Sequence, residues 1–104
     1  MKVMQRGIMK VLPGKMAEAM ELNEKYMAII SRCGMPTNAM RMYRPWVGGG
    51  DAIHTVVFEI EWSSLTEMAA FFEKVMADPE MQALMPKWEV LIESHQVELY
   101  MPMP

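Results

Sequence analysis

Two histidines, a lone cysteine, fifteen methionines and a few charged residues inside strand-like segments are the side chains of this 104-residue chain that could carry chemistry. His54 and His95 each begin the inward face of a strand-like run. An imidazole titrates near neutrality and can act as a general base, which makes His54 the candidate catalytic residue. Each histidine stands at a strand end, where a rim position without a catalytic task is the simpler reading. Two histidines and Cys33, far apart and without ligand spacing, do not build a zinc site, so no metal is expected. Cys33 closes the apolar stripe of a helix near its C-terminus, whereas thiolates are favoured at the opposite end; it reads as a buried, inert thiol. Thioethers can hold soft metals such as Cu(I). These methionines are spread over every element instead of clustering on one exposed segment, and so read as core filling or pocket lining.

The charged residues inside strands say more. Arg6 lies in the first strand, Arg41 and Arg44 in the second, Glu59 and Glu61 in the third, and Glu98 in the fourth. Charges withdrawn from water must be paired or hydrogen-bonded, and an Arg6–Glu59 pair across the two central strands is the first expectation. A structural ion-pair network is one outcome. The other is a cleft for a small polar-aromatic ligand, with Arg6, Tyr43, His54, Glu59 and Trp62 as the ligand-binding set and Trp46 nearby. No cofactor is expected.

The elements that must position these residues follow from periodicity. Lys2 to Leu12 lacks helical spacing and ends at Pro13-Gly14, which marks a strand closed by a turn. Lys15 to Arg32 carries Ala19, Leu22, Tyr26, Ile29 and Cys33 at steps of three and four, one face of a helix. Gly34 stops that helix, and Pro36 prevents its continuation. A second strand is expected over Thr37 to Trp46. The triplet Gly48-Gly49-Gly50 then connects it to the third, Ala52 to Trp62. Because the triplet joins two strands and does not precede a helix, it is a hairpin turn and not a phosphate cradle. In the third strand His54, Val56, Phe58, Ile60 and Trp62 alternate with Ile53, Thr55, Val57, Glu59 and Glu61. Ser63 or Ser64 caps a second helix, with Glu67 completing a capping box. Leu65, Met68, Phe72 and Val75 form its stripe, widened by Phe71 and Met76. Asp78-Pro79 opens a short helix that Pro86 should kink or shorten. Glu93 to Met101 is the last strand.

Strand, helix, strand, strand, helix, strand with right-handed crossovers gives one α+β domain over residues 1–104, of the ferredoxin-like βαββαβ kind, sheet order 4-1-3-2, both helices on one face. The other face would carry Ile53 and Val57 plus one side of an apolar second strand. Such a face asks for cover, and a two-fold homodimer supplies it. Ten basic against thirteen acidic residues, net charge −3, leave no clustered basic surface for nucleic acid. No run approaches the ~20 apolar residues that span a bilayer, and Lys2, Arg6 and Lys10 break up the first segment so that it lacks the apolar stretch of a signal peptide. With a single cysteine, a soluble cytoplasmic protein is the expectation.

Several pieces together resemble the NIPSNAP-like members of the dimeric α+β barrel superfamily, over nearly the full length. These are Arg6 followed by Pro13-Gly14-Lys15, the hairpin Trp46-Val47-Gly48 leading to Glu61-Trp62, and Asp78-Pro79-Glu80 before the last helix and strand. Ile8 stands where relatives often have a tyrosine. The resemblance implies the fold more than a function, since the family has no single agreed activity; the leading expectation is a homodimeric small-molecule binding or accessory protein. An alternative is a cofactor-independent oxygenase or isomerase on an aromatic or polyketide-like substrate, since relatives on this fold include such enzymes. Haem-degrading relatives combine an asparagine on strand one, a tryptophan on strand three and a helix histidine. Gln5 and Trp62 stand here without any histidine on the main helices, which disfavours haem.

Overall fold

A computed structural model describes residues 1–35 and 38–104, apart from the Asp51 side chain. The chain runs β1 (Val3–Val11), α1 (Met16–Arg32), β2 (Met40–Tyr43), a 3-10 turn (Gly50–His54), β3 (Thr55–Trp62), α2 (Leu65–Met76), α3 (Pro79–Glu89) and β4 (Ile92–Tyr100). The strands form one antiparallel sheet in the order β2-β3-β1-β4, the expected 4-1-3-2 read from the other edge. Among the described residues no helix is long and apolar enough to cross a membrane.

β1 sets the pattern for the whole sheet. Val3, Gln5, Gly7, Met9 and Val11 are buried while the residues between them are only partly covered, the period of two that separates the faces of a pleated strand. On the buried side Val56, Ile60 and Trp62 of β3 join Ala19, Ile29 and Ile30 of α1, Val75 of α2, and Met81, Leu84 and Trp88 of α3 in one core. Gln5, the single buried polar side chain among the described residues, accepts the Trp62 indole N–H at 2.9 Å. That bond satisfies both groups in a setting where an unmade one costs about 1–3 kcal/mol.

The helix ends follow from local chemistry. At the C-terminus of α1, Gly34 has φ 108°, and the Gly34 and Met35 N–H groups donate to Ser31 O and Ile30 O at 3.1 and 3.0 Å. This paired closure uses a left-handed glycine; the expected stop at Pro36 and the strand start at Thr37 lie outside the described residues. Ser64 Oγ accepts the Glu67 N–H at 3.0 Å, and the Glu67 carboxylate accepts the Ser63 N–H at 3.2 Å, so the box closes one residue upstream of its usual place. Asp78 accepts the Glu80 and Met81 N–H groups at the start of α3. Its carboxylate also holds Arg32 through Nη1 at 3.1 Å and Nη2 at 3.2 Å, a two-pronged tie from the end of α1.

Four expectations need correction. β2 stops at Tyr43, well short of Trp46, because Pro45 has no N–H to give a ladder. Trp46 and Val47 are consequently exposed. β3 begins at Thr55 because Gly50, at φ 59°, starts a 3-10 turn, and this takes His54 out of the strand. Leu65 and Met76, read as buried, are exposed at the ends of α2. α3 continues through Pro86 to Glu89, since the proline lies in the last turn with its ring exposed.

The face of the sheet away from the helices carries two informative rows. Arg41, Glu59, Arg6 and Glu98 follow one another from β2 to β4, and so do Tyr43, Val57, Ile8 and Gln96. The expected neighbours Arg6 and Glu59 are thus directly opposite in register, yet among the described residues Arg6 closes no ion pair. Its Nε is buried without a hydrogen-bond partner.

Candidate functional site

Between the sheet and its helices lies a cavity of about 230 Å³. Its floor is Met9 of β1, Met40 and Met42 of β2, Val56 and Phe58 of β3, and Ile92 and His95 of β4. Its roof is Asn23 and Tyr26 of α1, Phe72, Val75 and Met76 of α2, and Met81, Met85 and Trp88 of α3. Every regular element contributes. Among the described residues the lining holds no carboxylate, lysine or arginine. Six methionines take part, enough to account for much of the unusual methionine content as adaptable pocket wall.

Gly7 makes this cavity possible. The Phe58 ring lies across the β1 backbone at that point, and a Cβ on Gly7 would collide with the edge of that ring. Only the absence of a side chain lets Phe58 lean over the central strand toward β4. There it meets His95, ring centroids 5.8 Å apart and planes tilted by 53°. His95 stays exposed along the rim, and the part of its ring withdrawn from water against this wall lowers the imidazole pKa below its ordinary value. Across the cavity, burial raises the Tyr26 pKa, which keeps its phenol protonated. Tyr26 and Asn23 are three residues apart on α1 and so share a face. The Asn23 amide donates to Met42 Sδ at 3.4 Å, a weak bond.

None of the five residues expected to bind a ligand lines this cavity. Arg6, Tyr43 and Glu59 stand on the other face of the sheet, where the Tyr43 hydroxyl donates to Glu59 Oε2 at 3.4 Å. His54 ends the 3-10 turn, partly covered. Trp62 is on the helix face but beyond the cavity, held by Gln5 and tilted against Phe71 and Phe72 at ring separations of 5.3 and 5.7 Å. Of the two histidines weighed from sequence, His95 faces the cavity. Asn23 and Tyr26 were not singled out as site residues, although a hydroxyl within the apolar stripe of α1 was a legible signal. Among the described residues no group of three metal-ligating side chains comes together, and Cys33 is a buried free thiol.

No protein-family description matches the sequence, and none of the curated proteins does either. Solved structures do match in shape. A NIPSNAP family protein from Agrobacterium tumefaciens superposes with TM-score 0.83 at 24% identity, over 99% of this chain and 94% of that one. An uncharacterized NIPSNAP domain protein from Burkholderia xenovorans gives TM-score 0.73 at 23% identity, over 99% and 95%. SnoaB, a cofactor-independent oxygenase from Streptomyces nogalater, gives 0.64 at 15% identity, over 99% and 94%. The chain therefore has the ferredoxin-like fold of NIPSNAP proteins and of SnoaB, and the resemblance read from its sequence holds at the level of fold.

Proposed function

We propose that this chain is a homodimeric small-molecule binding protein that takes an aromatic ligand in the cavity between its helices and its sheet. The observation that carries this reading is the lining itself, apolar and methionine-rich with a few polar groups facing one another, the usual make-up of a ligand pocket. A free cysteine suits the reducing cytoplasm as its place of work. Native mass spectrometry of protein purified from its host tests ligand and partner together. A retained small molecule on a two-chain species is the expected result. An empty cavity that also rejects added aromatic compounds would end the reading.

The homodimer draws support from the open sheet face. Let a two-fold axis run along the strands between β1 and β3. It lays β2 of one copy over β4 of the other and β3 over β1. The row Arg41–Glu59–Arg6–Glu98 then meets its own reverse, so that Arg41 opposes Glu98 and Glu59 opposes Arg6. In the adjacent row Val57 meets Ile8. Each charge finds its opposite, and Arg6, unpaired within one chain, gains an acid. Reversing one charge, Arg6→Glu, should turn the dimer into monomers in sedimentation equilibrium. Arg6→Glu with Glu59→Arg should restore it. If both variants stay folded and dimeric, that packing is wrong.

A second reading, a cofactor-independent oxygenase or isomerase, is favoured by one feature. A histidine stands in the cavity wall, where a neutral imidazole could take a proton from a bound aromatic substrate. Oxygen uptake with a soluble hydroxyaromatic compound, abolished in His95→Phe, is the outcome it requires.

A further inference from the structure

We infer that the cavity selects an uncharged aromatic ligand of one or two rings bearing a hydroxyl group, whose O–H donates to the His95 imidazole while the ring lies among the methionines. This inference rests on the cavity being the ligand site and adds the chemistry of the occupant. Size sets the first limit. A cavity of about 150 Å³ holds benzene, and pockets for drug-sized molecules begin near 300 Å³; a volume of about 230 Å³ lies between them and fits one ring or two fused ones.

Charge sets the second limit. Among the described residues the lining has no ionic side chain, so an ionised carboxylate or amine would lose its water without gaining a counter-charge from them, a cost of several kcal/mol. Wall chemistry sets the third. Thioethers make favourable contacts at the edges and faces of aromatic rings, and Met9, Met42 and Phe58 surround the floor next to His95. Orientation then falls to three groups. Asn23 and Tyr26 stand on α1, and His95 stands opposite on β4. The protonated Tyr26 phenol is itself a donor, and the Asn23 amide nitrogen already faces Met42. The neutral His95 ring presents one unprotonated nitrogen, the strongest acceptor in the wall. A ligand hydroxyl is its natural complement. The His95 ring leans on Phe58 at the cavity wall, centroids 5.8 Å apart, which sets the acceptor beside the space a ligand ring would fill.

The methionines provide the assay. In protein labelled with carbon-13 at the methionine methyls, toluene, 4-methylphenol and 4-methylbenzoate are titrated while the methyl signals are followed by NMR. Signals of Met9, Met40, Met42, Met76, Met81 and Met85 should move, and those of the exposed Met101 and Met103 should not. A hydrogen bond worth about 1.4 kcal/mol makes 4-methylphenol bind about tenfold tighter than toluene, with 4-methylbenzoate weakest. In His95→Phe the ratio of phenol to toluene affinity should fall from about ten to about one, the change that a merely structural histidine, affecting both ligands alike, would not give. If toluene binds and the phenol binds no better, or the carboxylate binds best, the inference fails and the cavity reading stands. If none of the three moves the cavity methyls, both fail.

Discussion

The two faces of one four-stranded sheet differ in how they satisfy their residues. On the helix side the buried polar side chain is matched, Gln5 with the Trp62 indole at 2.9 Å. On the other side alternating charges run in a row across the strands, and Arg6 keeps a buried Nε with no partner. A change at Gln5 breaks a bond already made, whereas among the described residues a change at Arg6 breaks no ion pair within the chain. The contrast is sharpened by β4, which has both faces largely open: Val97 and Leu99 lie on the helix side yet remain about half exposed, at 51% and 49%.

The largest break in this contrast should come at Gly7. A methyl group there collides with the Phe58 ring, and neither the central strand nor the packed ring can retreat freely. Gly7→Ala should cost about 3 kcal/mol, at the upper end of overpacking effects. A chain of this length then loses roughly 12–24 °C in melting temperature. The cavity should lose its Phe58–His95 wall together with its affinity for aromatic compounds. A variant with unchanged melting and binding would mean that Phe58 repacks easily and that the wall is not built on the glycine.

Next in size is the buried pair. Gln5→Leu keeps the volume roughly constant and removes the acceptor, leaving the Trp62 indole N–H unpaired in the core. A loss of about 2 kcal/mol in urea unfolding is expected, with an unchanged dependence on denaturant concentration. Loss of less than about 0.5 kcal/mol would show that another acceptor reaches the indole. Because Trp62 lies beyond the cavity, ligand affinity should change little in this variant, which separates core from site.

The sequence made the fold legible because each of its regular elements carries its own signal. α1 shows its stripe, Ser64 with Glu67 its box, and Asp78-Pro79 its start, and β1 and β3 alternate plainly. Topology followed from element order alone. The middle of the chain was less legible. β2 is apolar on both sides, so periodicity could not say where pairing stops, and the ladder ends near Pro45 for want of a donor. His54 fits the alternation of β3, but Gly50 bends the chain before the strand begins. The site was least legible of all. Arg6, Tyr43 and Glu59 were drawn into a ligand cleft by their polarity, although odd and even positions of a strand point to opposite faces. That placed them with Val57 and Ile8, away from the helices. The methionines read as core filling or pocket lining, and only the packing of three helices over the sheet shows that Met9, Met42 and Met81 line a cavity.

The smallest effect should be a pH dependence that belongs to the cavity wall. Burial against Phe58 lowers the His95 pKa in the folded chain below the ordinary 6.5. Below that pH the unfolded chain therefore binds more protons than the folded one, so stability should fall as pH drops through 6.5 toward the lowered folded value. Above 6.5 both states are neutral at this position and the contribution is flat; below the folded pKa both are protonated and the slope ends. Among the described residues no carboxylate or cation lines the cavity to compensate the new charge, and Tyr26 remains neutral throughout this range. His95→Phe should remove this part of the slope, so melting curves of the two proteins should converge as pH is lowered from about 7.5 to about 5 if the wild type begins the more stable. The shift is modest because one edge of the ring meets water. Curves that stay parallel across that interval would show that His95 swings out of the wall, and that the imidazole facing the cavity is not fixed by Phe58.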